Sequence, residues 1–208
     1  GDVIAKLQVP QVAAFTATAT PVVREDIITQ LQRPQMATYI TGFTRPNLRF
    51  QVRLCSSQDD KLEVIRKTLA DRKPTIIYAA TRKNVDLLAE ETGCLRYHAG
   101  LTDTERTEVQ DRFISDTCPV IAATNAFGMG IDRPDVRRVI HFNTPGSLEA
   151  YYQEAGRAGR DGEDADCILL FSHRDRDIHE FLVDLNHPPE FVVHALWREL
   201  RDTSLVEQ

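Results

Sequence analysis

Seven short apolar runs, at residues 12–15, 48–54, 75–79, 95–98, 120–123, 136–142 and 167–171, recur along the chain, and most are followed by a stretch of helical periodicity. No other feature constrains the fold as much. Parallel strands cannot be joined by tight turns, so strand–helix alternation calls for crossover helices that cover both faces of one sheet. The expected class is α/β, a three-layer domain with a mostly parallel sheet and helices on both faces. Helix starts are legible too. Thr20 before Pro21 reads as an N-cap and first helical residue, where proline loses no needed N–H. Thr102 with Glu105 fits a capping box ahead of a helix at 106–114. Further helices are expected at 60–70, 83–91, 147–154 and 175–185, with a last one at 190–201 behind the Pro188-Pro189 pair.

The stretch 33–50, RPQMATYITGFTRPNLRF, breaks this rhythm with two prolines and no amphipathic period. It divides the chain. Residues 1–34 read as the end of one domain, 35–47 as a linker, 48–172 as a second domain, and 173–208 as a helical extension toward a further region. A formal net charge of −6 creates no overall positive field, so any nucleic-acid contact must be a local arrangement. The four cysteines form no C-x-x-C pair, and His173, His179, His187 and His194 read as surface or core residues, so no metal site is expected. With neither an 18-residue apolar run nor a signal-peptide pattern at the start, a cytoplasmic location is expected, nucleoid-associated or, in a eukaryote, nuclear.

In an open parallel sheet, ligands meet the loops at the carboxyl ends of strands, and unusual residues collect there. VIAATNAFGMGIDRPDVR (120–137) leaves a strand at Thr124 and passes Gly128 and Gly130 before Asp132. Glycines admit a phosphate close to the backbone, Thr124 offers a hydroxyl, and Asp132 suits a ribose or a neighbouring arginine; the alternative is a turn without function. It is not a dinucleotide fingerprint, since the third glycine would fall at Arg133. YYQEAGRAGRDG (151–162) sets Gln153, Arg157 and Arg160 at i, i+4 and i+7, one face if the helix runs on. Two forked guanidinium groups suit a polyphosphate; the alternative is a solvated face paired with Asp161 and Glu163. TIIYAATRKNVDLLAE (75–90) ends its strand at Thr81 and Arg82, a hydroxyl and a cation at a helix start, with Thr81 as a simple N-cap the other reading. RYHAGLTDTERTEVQDRF (96–113) puts His98 and Gly100 at a strand end, where a structural histidine is an equal possibility.

With these stretches in order, the chain resembles the RecQ family of superfamily 2 DNA helicases over roughly residues 9–171, as a second RecA-like domain with a remnant of the first. FTATAT (15–20) is similar to that family's third motif, FTRPNLRF (43–50) to its interdomain connection, IIYAATR (76–82) to its fourth, AATNAFGMGIDRPDVRRVIHFNTP (122–145) to its fifth and YYQEAGRAGRDG to its sixth. The related DEAD-box RNA helicases, which usually carry His where Gln153 stands and Arg where Met129 stands, fit less well. The resemblance implies a RecA-like fold of the P-loop NTPase type, ATP and Mg held mainly by a first domain, and DNA as partner. It implies that Arg157 and Arg160 reach ATP across an interdomain cleft, Arg160 as an arginine finger, and that Gln153 couples this contact to closure. Gly130 and Asp132 would face the nucleotide sugar or the arginines. Thr124, Thr81 and Arg82, with His98 and Gly100 nearby, would meet DNA phosphates, and Thr16 and Thr18 would link hydrolysis to strand movement, with 3′ to 5′ precedent.

One departure matters. The chain has no G-x-x-x-x-G-K-[ST] loop and no D-E-x-H or D-E-A-D box, so these residues alone are expected to be inactive, as part of a longer enzyme. A non-catalytic binding module is the other class of reading.

Overall fold

The computed structural model describes residues 11–16, 19–40, 44–127, 133–175 and 177. In chain order these form α1 (Pro21–Gln30), β1 (Leu48–Leu54), α2 (Gln58–Thr68), a 3-10 turn (Leu69–Asp71), β2 (Thr75–Tyr78), α3 (Arg82–Thr92), β3 (Leu95–Tyr97), α4 (Asp103–Ile114), β4 (Val120–Ala123), β5 (Arg138–His141), α5 (Leu148–Ala155) and β6 (Ala165–Phe171). All six strands belong to one sheet in the order β1-β6-β5-β2-β4-β3, every pairing parallel. The α/β class read from the alternation is the observed one.

Why the sheet needs two helical layers is visible in β2, β4 and β5, which are buried along their whole length. Successive side chains of β2 point to opposite faces. Ile76 and Tyr78 pack with Phe113 of α4 and Ala155 of α5, while Ile77 and Ala79 pack with Leu62 and Ile65 of α2 and Val85 and Leu88 of α3. Caps set the helix starts. Thr20, Ser57, Thr81, Thr102 and Ser147 each accept a backbone N–H from the first turn they precede, and Thr102 with Glu105 completes a capping box.

Two expectations change. Residues 11–16 form no strand; a parallel strand is held only by its neighbours, and among the described residues none pairs with this segment. Helix α1 forms on its Thr20-Pro21 cap but buries none of its residues, leaving Val22 74% exposed. Second, the helix carrying Gln153 stops at Ala155, with Gly156 as its C-cap, so Arg157 and Arg160 stand in the turns that follow rather than on its face. Of the 173–208 extension, only 173–175 and 177 are described.

Where β2, β5 and β6 end, a buried polar knot fastens their exits together. Lys61 of α2 places Nζ 2.8 and 2.9 Å from the two carboxylate oxygens of Asp175 and 2.7 Å from the carbonyl of Phe142. Asn143 donates to Asp175 at 3.0 Å, and the Ser172 N–H does so at 3.2 Å. The Asn143 carbonyl oxygen in turn accepts from the Ala80 N–H and from Asn84. Lys61 and Asp175 are 3% and 4% exposed, a depth at which neither charge is tolerable without the other.

Candidate nucleotide and nucleic-acid interface

The carboxyl edge of the sheet gathers the loops after β2, β3 and β4. Thr81 caps α3, its hydroxyl accepting from Asn84 N–H at 3.2 Å, and Arg82 opens the helix, exposed, at the end where the helix dipole favours anions. The Asn143 bonds to Ala80 and Asn84 hold this start in place from both sides. His98 is buried, with Nε2 3.2 Å from Asp86 and Nδ1 3.1 Å from the N–H of Gly100. Both ring nitrogens are thus used internally, and His98 serves to fix the loop that carries Gly100. A Cβ on Gly100 would lie 3.0 Å from His98 Nδ1 and 3.3 Å from the Arg82 guanidinium, so glycine is what allows those two side chains to converge. Thr124 follows β4 and is 8% exposed, its carbonyl accepting from the Phe127 N–H. Thr16 is exposed in the unstructured segment 11–16. Thr18, Gly130 and Asp132 lie outside the described residues.

The arginine pair arrives by another route. Helix α5 starts after the carboxyl end of β5 and carries the chain back, so that Gly159 N–H meets the Val136 carbonyl at 2.8 Å, ahead of β5. Arg157 is half-buried, Arg160 exposed and Gln153 exposed. Both arginines follow the C-terminal end of α5, where the helix dipole favours cations. Asp161, one of the carboxylates considered as their partner, is ion-paired with Arg137.

Two residues of the FTRPNLRF stretch shape this turn. Arg45 donates to the carbonyls of Ala158 and Gly159, at 3.3 and 2.6 Å, and Asn47 donates to Gly159 and Glu163, both at 2.9 Å. Gly159 adopts φ +54°, and a Cβ there would sit 2.5 Å from Asn47 Nδ2 and 2.6 Å from the Glu163 carbonyl. Gly159→Ala is therefore expected to lower the unfolding free energy by about 2 kcal/mol, through left-handed strain and overpacking, as read from the denaturation midpoint.

Behind the turn, the Tyr78 hydroxyl donates to the Phe127 carbonyl at 3.0 Å. Burial pushes its pKa well above the ordinary tyrosine range, against the opposing pull of Arg157, so the phenol keeps the proton it donates. Arg133, at the place where a third glycine would complete a dinucleotide fingerprint, is a buried structural arginine. It bonds the Phe113 carbonyl, Asp116 and Asp135. Sequence reading found the arginines and the strand-end loops but passed over Arg45, Asn47 and Tyr78. The first two stand inside a stretch singled out only as a connection, and Tyr78 looks like one more apolar residue of its strand.

Residues 60–162 match the helicase conserved C-terminal domain. The chain is 42% identical over 186 residues to the ATP-dependent DNA helicase RecQ of Bacillus subtilis, covering 87% of this chain and 31% of that protein. It is 43% identical over 178 residues to the RecQ-like DNA helicase BLM of Xenopus laevis, covering 82% of this chain and 13% of that one. The chain belongs to the RecQ family. Its share of the RecQ relatives is less than a third of their length. Among solved structures, this RecQ-type domain superposes on S. cerevisiae Dbp5 bound to RNA and ADP BeF3 with a TM-score of 0.69 at 22% identity, over 88% of this chain and 51% of that one, a likeness that speaks to the RecA-like fold.

Proposed function

We propose that this domain is the second motor half of an ATP-dependent, 3′ to 5′ DNA helicase, whose first half supplies the triphosphate cradle. The observation that carries the reading is the arginine turn. Arg45 and Asn47 fix its carbonyls, so Arg157 and Arg160 leave a held backbone after a helix C-terminus. Such a held pair of guanidinium groups fits an anionic ligand approached from another domain. ATP, when bound, supplies the phosphoryl group whose transfer develops charge that a finger stabilises. The chain has no G-x-x-x-x-G-K-[ST] loop, and among the described residues no cluster of His, Cys, Asp or Glu could hold a metal ion. The triphosphate and its Mg ion would therefore be held chiefly by the other half.

In this reading Arg160 is the finger, Arg157 binds beside it, and Gln153 couples the contact to closure, with Gly130 and Asp132 facing the sugar or the arginines. Thr81 and Arg82, with Thr124 and the His98–Gly100 loop, grip successive backbone phosphates, contacts that carry little sequence information. Thr16 and Thr18 link hydrolysis to strand movement. DNA as the substrate is supported by the relatives, which are named DNA helicases. The first half also accounts for α1, whose exposed Val22 and Val23 need a core to join.

The test is to compare these 208 residues alone with the same residues joined to their upstream domain. The chain alone is expected to show no ATP turnover above background, and the joined protein DNA-stimulated turnover. Turnover by the chain alone would sink the proposal.

A further inference from the structure

We infer that Asp86 is the positioning residue for the His98–Gly100 loop, fixing the tautomer of His98 and through it the backbone offered to DNA; the inference deepens the reading of that loop given above and rests on it. A backbone N–H can only donate, so the 3.1 Å contact from Gly100 N–H makes His98 Nδ1 an acceptor and leaves the ring proton on Nε2. That proton points at Asp86 Oδ1, 3.2 Å away. In the other tautomer two N–H groups would face each other at Nδ1, and Nε2 would aim a lone pair at a carboxylate. His98 is 7% exposed, so water is poorly placed to repair either loss. An ionised carboxylate only accepts, and it therefore selects the one ring form that holds Gly100.

The fold makes this link a short one. Asp86 follows Arg82 by one turn of α3, so the helix that presents the exposed guanidinium also carries the carboxylate that steadies the neighbouring loop. Beyond the ring, Leu101 N–H bonds the His98 carbonyl at 3.1 Å, and Thr102 begins the capping box of α4. Thr124 N–H, just after β4, bonds the Tyr97 carbonyl at 3.1 Å. The imidazole thus holds Gly100 in a turn whose two ends are already fixed, beside Arg82, whose Nη1 comes within 3.3 Å of where a Cβ would stand. Arg96 also reaches Asp86 Oδ1, at 3.1 Å, but from an exposed position of β3 with about half its side chain in solvent. Such a surface pair contributes little, and the buried imidazole is the partner that transmits position.

The experiment uses the full-length helicase and compares the parent with Asp86→Ala, with Arg96→Ala and with His98→Phe, which keeps a ring in the same place. Amide hydrogen exchange at Gly100, followed by mass spectrometry without DNA, is expected to quicken about tenfold in Asp86→Ala, the size of one hydrogen bond to a charged group. His98→Phe should quicken it as much, Arg96→Ala should leave it unchanged, and the melting temperature of Asp86→Ala should match the parent's. In DNA-stimulated ATPase assays, Asp86→Ala should raise the single-stranded DNA concentration for half-maximal turnover several-fold while keeping kcat at saturating DNA. It should add little on the His98→Phe background, because both act through one group. Exchange at Gly100 equal to the parent's overturns the inference, as does an equal quickening in Arg96→Ala. Quickened exchange with an unchanged DNA requirement would instead sink the reading of this loop as a DNA grip, while upholding Asp86 as the residue that positions it.

Discussion

Arg160→Ala in the full-length helicase is expected to reduce DNA-stimulated ATP turnover on the order of a thousandfold or more, the range of other phosphoryl-transfer fingers. The effect should fall on kcat. A guanidinium that stabilises charge developing on the transferring group contributes most in the transition state, so the KM for ATP is expected to change little beside it. Arg160 is exposed and stands after the helix rather than in the core, so folding should be untouched and the melting temperature should match the parent's. Arg160→Lys is the informative companion. Lysine keeps the charge but loses the planar fork, so it should recover only a small part of the rate. Equal rates in Arg160→Ala and parent would favour the non-catalytic binding-module reading.

Lys61→Met is expected to be the most destabilising single change outside the site, at about 3–5 kcal/mol, because it leaves the Asp175 carboxylate buried without its cation. For a chain of this size that corresponds to a fall in melting temperature on the order of 10 °C. The loss comes from the orphaned partner more than from the pair itself. Lys61→Met combined with Asp175→Leu should therefore recover much of it, since a well-packed apolar pair avoids the desolvation cost of both charges. A single substitution as mild as an exposed one would show that water reaches this knot. The consequence would also reach the site, because Asn143 bonds both Asp175 and the start of α3, where Thr81 and Arg82 stand.

Much of this was open to reading from residues alone, and the rest was hidden for definable reasons. The strand–helix rhythm announced the sheet because strands covered on both faces must be continuously apolar, as 75–79 and 120–123 are. Thr20-Pro21 and Thr102 with Glu105 were legible because caps are local chemistry. The segment 12–15 misled for the opposite reason: its apolar residues suit a strand, but a strand exists only where a neighbour pairs with it. The arginines were found by type and spacing; the condition for a shared face with Gln153, a helix that runs on to Arg160, is not met, because α5 ends at Ala155 with Gly156 as its cap. Lys61 and Asp175 are 114 residues apart, and Tyr78 and Phe127 are 49 apart. No local pattern links such pairs, and only the folded sheet brings them together.

Helix α5 has a mechanical consequence. With eight residues it is about 12 Å long; it starts after the carboxyl end of β5, and the turn that follows it returns Gly159 to Val136, ahead of the same strand. On the proposed reading, the strand-end loops that would grip DNA and the turn that would meet ATP ride on one six-stranded sheet. A swing of that sheet as one body would then carry both contacts together.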